Sequence, residues 1–429
     1  MSLRRTVSAI QTFLRQRREA LDFRALKDPR RRRGRRWTLG ALVSTAVLSL
    51  MMLARSLREA ERLSRDLCEA QRRRGIRRRV PDSTLGDLLA RLPVAPVRQH
   101  LHEHILAEHR RKALEPTVLP IRFASIDGKT VATLDSEVNR HCQKQEQDGH
   151  APVWLYRVVR ATLISSAAAV CLDQAPIPAA SNDAGVFPSF FRQLRATYRR
   201  CDLFEGIFTD AGFTSEANAR LVHEAGLAYV MALKDNQPSL RHEAERVLGA
   251  LAQTTAPEAE TGWELDSSRG WIRRQLWRTV EMAGWNGWSH LRQVWLVRVL
   301  AREGKHGPVR VLEDRYFLTN LVPGRLGGDD ILRLVRAHWR IENDCYGALD
   351  VQWHEDHGHW VRRDHGLEVV SLLRVLAYNL LALLRASHLR SADARRAAWW
   401  QLRDWVRDAL LWPAREDAAE RLEVTPNET

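Results

Sequence analysis

The chain has 429 residues, 45% of them hydrophobic and 28% charged, with a formal net charge of +15; that length gives two or three domains and ample chain to bury a core. Residues 1–120 hold 28 Lys and Arg against 12 Asp and Glu, leaving the rest near neutral. A basic block of this kind points to nucleic acid rather than a membrane surface, because its arginines do not flank one hydrophobic span. Five cysteines, odd in number and without a CxxC pair, exclude a disulfide framework and a zinc ribbon, and imply a reducing cytoplasm.

Residues 1–36 read as a helix-prone start that ends in Asp28-Pro-Arg-Arg-Arg-Arg-Gly-Arg-Arg36. Pro and Gly break any helix there and the like charges keep it exposed, so Arg30, Arg31, Arg32, Arg33, Arg35 and Arg36 are placed on DNA phosphates. The apolar run 39–54 is too short to span a bilayer and begins too late for a signal peptide, so it reads as a buried helix. An amphipathic stretch follows (Leu57, Ala60, Leu63, Leu67), then a basic loop over 72–79, then a helix through Leu85, Leu88 and Leu92 capped by Pro81-Asp-Ser-Thr84. His100, His102, His104 and His109 read as a polar helical face rather than a metal site, since no further ligand stands nearby.

From residue 119 the texture changes. A strand over 120–126 delivers Asp127-Gly-Lys129, with Gly128 allowing a tight turn beside the acid. Strands at 158–165 and 168–172, a helix at 187–198, a strand at 203–209 ending in Asp210, a helix to 225 and a strand at 228–233 ending in Lys234-Asp-Asn-Gln237 complete a β-β-β-α-β-α-β order. Lys234 and Asn236 are candidate DNA contacts or a simple strand-end turn. Residues 238–325 read as a helix, a polar loop and three strands, and six of the 15 tryptophans fall between Trp263 and Trp295. Trp271 and Trp277 share a strand face. Gly284-Trp-Asn-Gly-Trp288 reads as an exposed turn, which makes Trp288, and next Trp285, an aromatic platform for a base turned out of the duplex.

On the helix that follows, Ile331, Leu334, Val335, His338 and Glu342 fall on one stripe at a 3.6-residue period. A carboxylate facing a core must be paired, here by Arg336 or His338, or hold a metal. An apolar helix over 367–384 and a helical tail with Trp399, Trp400, Trp405 and Trp412 close the chain.

With the Glu342 helix added, the element order is that of an α/β, RNase H-like mixed sheet with helices on both faces, a long β-rich insertion before the last helix, and a small basic helical N-terminal domain. The divisions are 1–118, 119–237, 238–325, 326–388 and 389–429. In such a sheet the first and fourth strands are neighbours, so Asp127 and Asp210 stand at convergent ends with Glu342 above them. Three carboxylates so placed suit two Mg²⁺ ions acting at a phosphodiester.

The words Phe-Ala-Ser-Ile-Asp127-Gly-Lys, Ser181-Asn-Asp183, Thr209-Asp210-Ala-Gly, Ala232-Leu-Lys-Asp-Asn-Gln237 and His338-Trp-Arg-Ile-Glu342-Asn, followed by Leu349-Asp-Val and Glu355-Asp356, resemble the DDE-type insertion-sequence transposases, particularly the branch related to H-repeat-associated transposases. The likeness covers about residues 25–385. It implies that Asp127, Asp210 and Glu342 are the catalytic, metal-binding triad, loaded with Mg²⁺ or, as a substitute, Mn²⁺. Lys129 beside Asp127, and Arg336 and Arg340 beside Glu342, are counted among the DNA contacts. It further implies a bacterial, nucleoid-associated cytoplasmic protein that pairs terminal inverted repeats as a homodimer, cuts, and joins the freed 3′-hydroxyl to target DNA. The chain departs from the family in having Asp183 where Asn-Glu is common, and His338 and Leu349 at two positions of a Tyr-Arg-Glu-Lys pattern. The alternatives are an inactive DNA-binding relic or regulator, and a stand-alone nuclease.

Overall fold

The computed structural model describes residues 3–423 apart from 72–74, 267–268, 305, 364 and 390; Arg72, Arg73 and Arg74 of the basic loop, and the side chain of Trp412, lie outside the described residues. Five helices come first: α1 (Leu3–Gln16), α2 (Leu39–Met51), α3 (Leu57–Ala70), α4 (Asp82–Arg91) and α5 (Val94–Arg110). Thr38 caps α2 by accepting from the Ala41 amide at 3.2 Å. Ser56 caps α3 the same way from Glu59, whose carboxylate reaches back to the Arg55 amide. Every residue of α2 except Gly40 is buried, as its apolar run predicts.

The sheet is built by β1 (Phe123–Leu134), β2 (Cys142–Gln147), β3 (His150–Leu163), β4 (Cys171–Pro176), α6 (Asp183–Tyr198), β5 (Gly206–Thr209), α7 (Glu216–Glu224) and β6 (Ala228–Leu233). β1 is antiparallel to β3 and parallel to β5; β5 is parallel to β6, and β4 returns antiparallel on β3. The order β4-β3-β1-β5-β6 is that of an RNase H-like core. β2, which pairs with the outer edge of β3, has the sequence Cys-Gln-Lys-Gln-Glu-Gln and lacks the apolar alternation that marks a strand.

After α8 (Pro238–Thr254) come β7 (Ala259–Glu260), β8 (Glu264–Asp266), β9 (Gly270–Thr279), β10 (Gln293–Arg302) and β11 (Val309–Thr319). β11 pairs antiparallel with β6, Leu233 opposite Tyr316, so the inserted strands continue the same sheet, which reaches 11 strands among the described residues. The chain ends in α9 (Gly328–His338), a π turn (Ile341–Tyr346), α10 (Gly347–Trp353), α11 (Gly366–Ser387), α12 (Ala392–Arg395) and α13 (Trp399–Glu423).

Strand alternation sorts the core. Phe208, Val230, Trp295 and Phe317 meet Ile331, Leu334 and Val335 of α9 on one face. Ile207, Tyr229, Met231 and Leu296 meet Phe187, Val222 and Leu240 on the other. The N-terminal helices belong to this second core: Trp353 donates from Nε1 to the Leu50 carbonyl at 2.8 Å, and Gln11 donates to the Ala409 carbonyl at 3.1 Å. α11 is long and apolar enough to cross a bilayer, but 89% of its apolar window is buried inside the protein. All five cysteines are free thiols.

Candidate active site at the strand ends

The parallel pairing of β1 with β5 ends at Ile126 opposite Thr209. Asp127 and Asp210 are the next residues along the two strands, and the hydrogen-bonded register sets them side by side. Asp127 does not end its strand as the sequence predicts: β1 runs on to Leu134, and Asp127 lies opposite Arg160 of β3. Gly128 makes no turn. A Cβ there would fall 2.6 Å from Asp183 Oδ1 and 3.3 Å from Arg157 Nη2, so glycine serves a close approach of side chains to the backbone.

The predicted stripe is only partly right. Ile331, Leu334, Val335 and His338 are buried, whereas Glu342 is exposed. α9 stops at His338, where the Trp339 amide bonds to the Arg336 carbonyl, and Glu342 stands at the start of the π turn that follows. Nor do the predicted partners hold it: Arg336 pairs with Glu264, and Nδ1 of His338 shares a 2.7 Å hydrogen bond with Ser125 Oγ. His338 is also stacked on Phe208, ring centres 4.2 Å apart. Ser125 precedes Asp127 by two residues and Phe208 precedes Asp210 by two, so each sits on the same strand face as its acid. One imidazole therefore registers the Glu342 turn against both strands. From that turn Tyr346 donates its hydroxyl to the Asp127 carbonyl at 3.0 Å.

Crowding of charge marks the place. Burial pushes the Asp127 carboxyl up to about 7 against the hydrogen bond from the Gly128 amide, and Glu342, Asp210 and Asp183 push the same way. Glu342 lies open to solvent, yet partial desolvation and the charge of Asp210 raise it too, opposed by Arg315 and Lys234. Lys234 Nζ stands 3.7 Å from Asp210 Oδ1. Burial holds His338 down to about 4, against the pull of Asp210, so the imidazole is neutral near pH 7.

The other candidates divide. Lys129 shares the face of Asp127 but is ion-paired with Asp350. Asn236 donates to the carbonyls of Ala211 (2.8 Å) and Thr214 (3.0 Å), so its amide is used inside the protein. Arg340 is spent on Asp344 and the carbonyls of Ile164, Ser166 and Ala167. Of the basic segment, Arg31, Arg32, Arg33 and Arg36 are exposed; Arg35, also exposed, is bonded to the Arg30 and Asp28 carbonyls, and Arg30 is 8% exposed and tied to Asp28 and the Trp37 carbonyl. Trp288 is no exposed tip: it is 4% exposed and packed in the core, because the turn folds back through a 2.9 Å bond from its amide to the Trp285 carbonyl. The histidine face is not polar either, since His102 and His104 are buried where α5 packs against the sheet.

Sequence reasoning missed Arg157, which donates to Asp183 at 3.0 Å, and Arg315, whose guanidinium lies 4.5 Å from the Trp339 ring centre. Strand parity put Arg315 on the α9 face, but nothing in the sequence says that β11 joins β6. Among the described residues no three His, Cys, Asp or Glu side chains close into a ready metal cage. The three carboxylates still suit a hydrated Mg²⁺, which takes oxygen donors, needs only one or two carboxylates and keeps several waters.

Fold and site together define an RNase H-like α/β protein with an acidic centre at its strand ends. A model of the transposase DDE domain matches residues 120–380, and the chain belongs to that family. It is 26% identical over 183 residues to the "Putative protein YbfL" of Escherichia coli (strain K12), a match covering 41% of this chain and 47% of that one; the chain thus spans about half the length of this curated relative. Superposition on a piggyBac transposase, solved by cryo-EM as a synaptic complex with hairpin DNA, covers 98% of this chain and 80% of that one at a TM-score of 0.45 and 10% identity.

Proposed function

We propose that this chain is the transposase of an insertion sequence: it binds terminal inverted repeats, cuts DNA at their ends and joins the freed 3′-hydroxyl to target DNA. The observation that carries this reading is the position of Asp127 and Asp210 directly after the last parallel pair, Ile126 opposite Thr209, with the Glu342 turn tied to both strands by the His338 contacts to Ser125 and Phe208. Asp127, Asp210 and Glu342 would hold Mg²⁺, with Mn²⁺ as a substitute. The bound ion supplies Lewis acidity at the phosphodiester and stabilises charge on the leaving oxygen.

The residues of the chain do the rest. The carboxylates orient a water in line with the phosphorus; the water gives up a proton as its oxygen bonds to phosphorus, the P–O3′ bond breaks, and the departing 3′-oxygen takes up a proton. In the second step that 3′-hydroxyl attacks a target phosphodiester and displaces the target's own 3′-oxygen, so no oxidant or energy donor is needed. Lys234 beside Asp210 is placed to offset phosphate charge. Exposed Arg31, Arg32, Arg33 and Arg36 supply affinity for the end DNA, and two ends call for two copies of the chain.

The test uses purified full-length protein and duplexes carrying the inverted repeats that flank its coding region. Mg²⁺-dependent nicking at the repeat ends is expected from the native chain. Asp127→Asn, Asp210→Asn and Glu342→Gln should each lose cleavage while keeping end-DNA binding. Native-rate nicking by any of the three removes that residue from the site, and a native chain that binds but never cuts favours the regulator instead.

A further inference from the structure

We propose that the groove between α3 and α13 is a further DNA-binding surface, which holds the phosphate backbone of the end duplex between the basic segment 28–36 and the acidic centre. The inference rests on the DNA reading above and adds the path of the duplex. Arg58, Arg62 and Arg65 follow one another at four- and three-residue spacing along α3, so they share one exposed face, while Ala60, Ser64 and Leu67 are buried on the opposite one. Trp400, Arg403 and Arg407 line one face of α13 in the same way, opposite the buried Leu402, Val406 and Ala409. The two helices are held together by the Gln71 side-chain amide on the Leu410 carbonyl at 2.8 Å and by Arg407 on Asp66 at 3.4 Å. Among the described residues, the cleft where they meet is lined by Arg55, Arg62, Arg65, Arg403 and Arg407 against two carboxylates, Glu59 and Asp66.

Charge and composition select the occupant. Glu59 is used on the Arg55 amide, and Asp404 pairs with Arg403 at 2.9 Å. Yet the Arg62, Arg403 and Arg407 side chains keep 75%, 42% and 48% exposure, and ion pairs this open are weak enough to give way to a phosphate. Trp400 beside them is 56% exposed, and an open indole among arginines is the composition of a binding surface. A second copy brought up by a two-fold axis would set this patch against itself, like charge on like; a polyanion meets no such opposition. The two ends of the groove then say which DNA it holds. At one end Arg79, paired with Glu61, lies beside Arg58 and Arg62, and the neighbouring Arg78 donates to the Arg36 carbonyl and lies 4.7 Å over the Trp37 ring. The groove therefore continues the basic segment. At the other end Arg55 donates to the Gln352 carbonyl of α10 at 3.3 Å, and α10 carries Asp350, the partner of Lys129 two residues beyond Asp127. A duplex bound by the basic segment and cut at the acids passes over this surface on its way. Arg58 to Arg65 covers about 10 Å of helix, the reach of about three phosphates at about 3.4 Å each along a strand.

The test measures binding apart from cutting. Affinity for the end duplex is titrated against salt, without Mg²⁺, for three full-length chains: the native one, a variant combining Arg62→Gln, Arg65→Gln and Arg403→Gln, and one combining Arg62→Lys, Arg65→Lys and Arg403→Lys. The glutamine variant should melt like the native chain and bind at least about tenfold more weakly at about 0.1 M salt. Its slope of log K on log salt should shrink by about 2.7, about 0.9 for each phosphate no longer neutralised. The lysine variant keeps the charge and should keep the native slope, which separates lost phosphate contacts from lost folding. Trp400→Ala should weaken binding with the slope unchanged, since an indole neutralises no phosphate. A glutamine variant with native affinity and slope overturns the assignment. So does native end binding and cutting with loss only of joining to target DNA, which would put target DNA in the groove. A DNA-free dimer of the native chain that the same substitutions dissociate would put a second copy there and overturn it too. A native chain that binds the end duplex with the expected slope but never cuts it removes the cleavage reading and leaves the groove assignment standing.

Discussion

Single side chains in this protein are tuned mainly by burial. His104 is 2% exposed, and neither ring nitrogen has a hydrogen-bond partner among the described residues. Burial, then the charges of His100, Arg17 and Arg111, lower it from 6.5 to about 3. The unfolded chain takes up that proton near pH 6.5 and the folded chain only near 3, so stability is lost as pH falls through that window and is unaffected above it. At one pH unit below 6.5 the expected loss from this residue is about 1.4 kcal/mol. His338, held to about 4, adds a loss of the same sign. Urea unfolding at pH 8 and in mild acid checks this: His104→Leu should remove part of the acid sensitivity, and a pH dependence identical to the native chain would clear His104 of any role. Trp288 shows the opposite lesson about exposure. Its indole fills the core beside Leu291, so Trp288→Ala should cost about 3–5 kcal/mol. Activity should fall only in step with the melting temperature, with no rescue by a substrate carrying an unpaired base.

Elements are joined by a few buried polar contacts. Arg160 of β3, opposite Asp127, donates to both oxygens of Glu355 at 2.8 Å, with Gln174 and Ser371 completing the network. Both side chains are fully buried. Burial works against the Glu355 charge, yet Arg160 and its hydrogen bonds hold the carboxyl below its ordinary range. The pair ties the segment after α10 to the strand beside Asp127, and so supports the turn that bears Glu342. Glu355→Ala leaves an uncompensated buried guanidinium and should destabilise by about 3–5 kcal/mol, whereas Arg160→Met with Glu355→Leu should recover most of that. Thermal denaturation of the two single variants and the double variant measures the coupling. A sum of the single losses in the double variant would show that the two act separately.

At the scale of the whole molecule, the basic N-terminal helices are part of the core. α2 packs on α11, and α1 is tied to α13, so deleting residues 1–118 exposes much of the α11 surface. The expected outcome is loss of cooperative unfolding rather than a folded core with weaker DNA affinity; a truncated chain with native melting would refute it. Replacing Arg31, Arg32, Arg33 and Arg36 by Gln in the full chain is the cleaner probe of phosphate binding. It should flatten the dependence of log K on log salt, whose slope shrinks by about 0.9 for each phosphate that is no longer neutralised. The sequence by itself determined β1, β3, β4, β5 and β6 with α6 and α7 in their order, and the buried nature of α2, because these depend on short-range periodicity and on words a few residues long. It did not reveal β2, whose residues carry no apolar alternation, or the π turn, since a stripe extrapolated at 3.6 residues per turn cannot register one extra residue. Nor did it separate free arginines from spent ones: Arg340 and Arg30 are satisfied by partners inside the protein, while Arg315 comes near Glu342 only because β11 joins β6. Sheet order decides which distant charges become neighbours, and that order is set by tertiary packing and long-range pairing, to which local periodicity is blind.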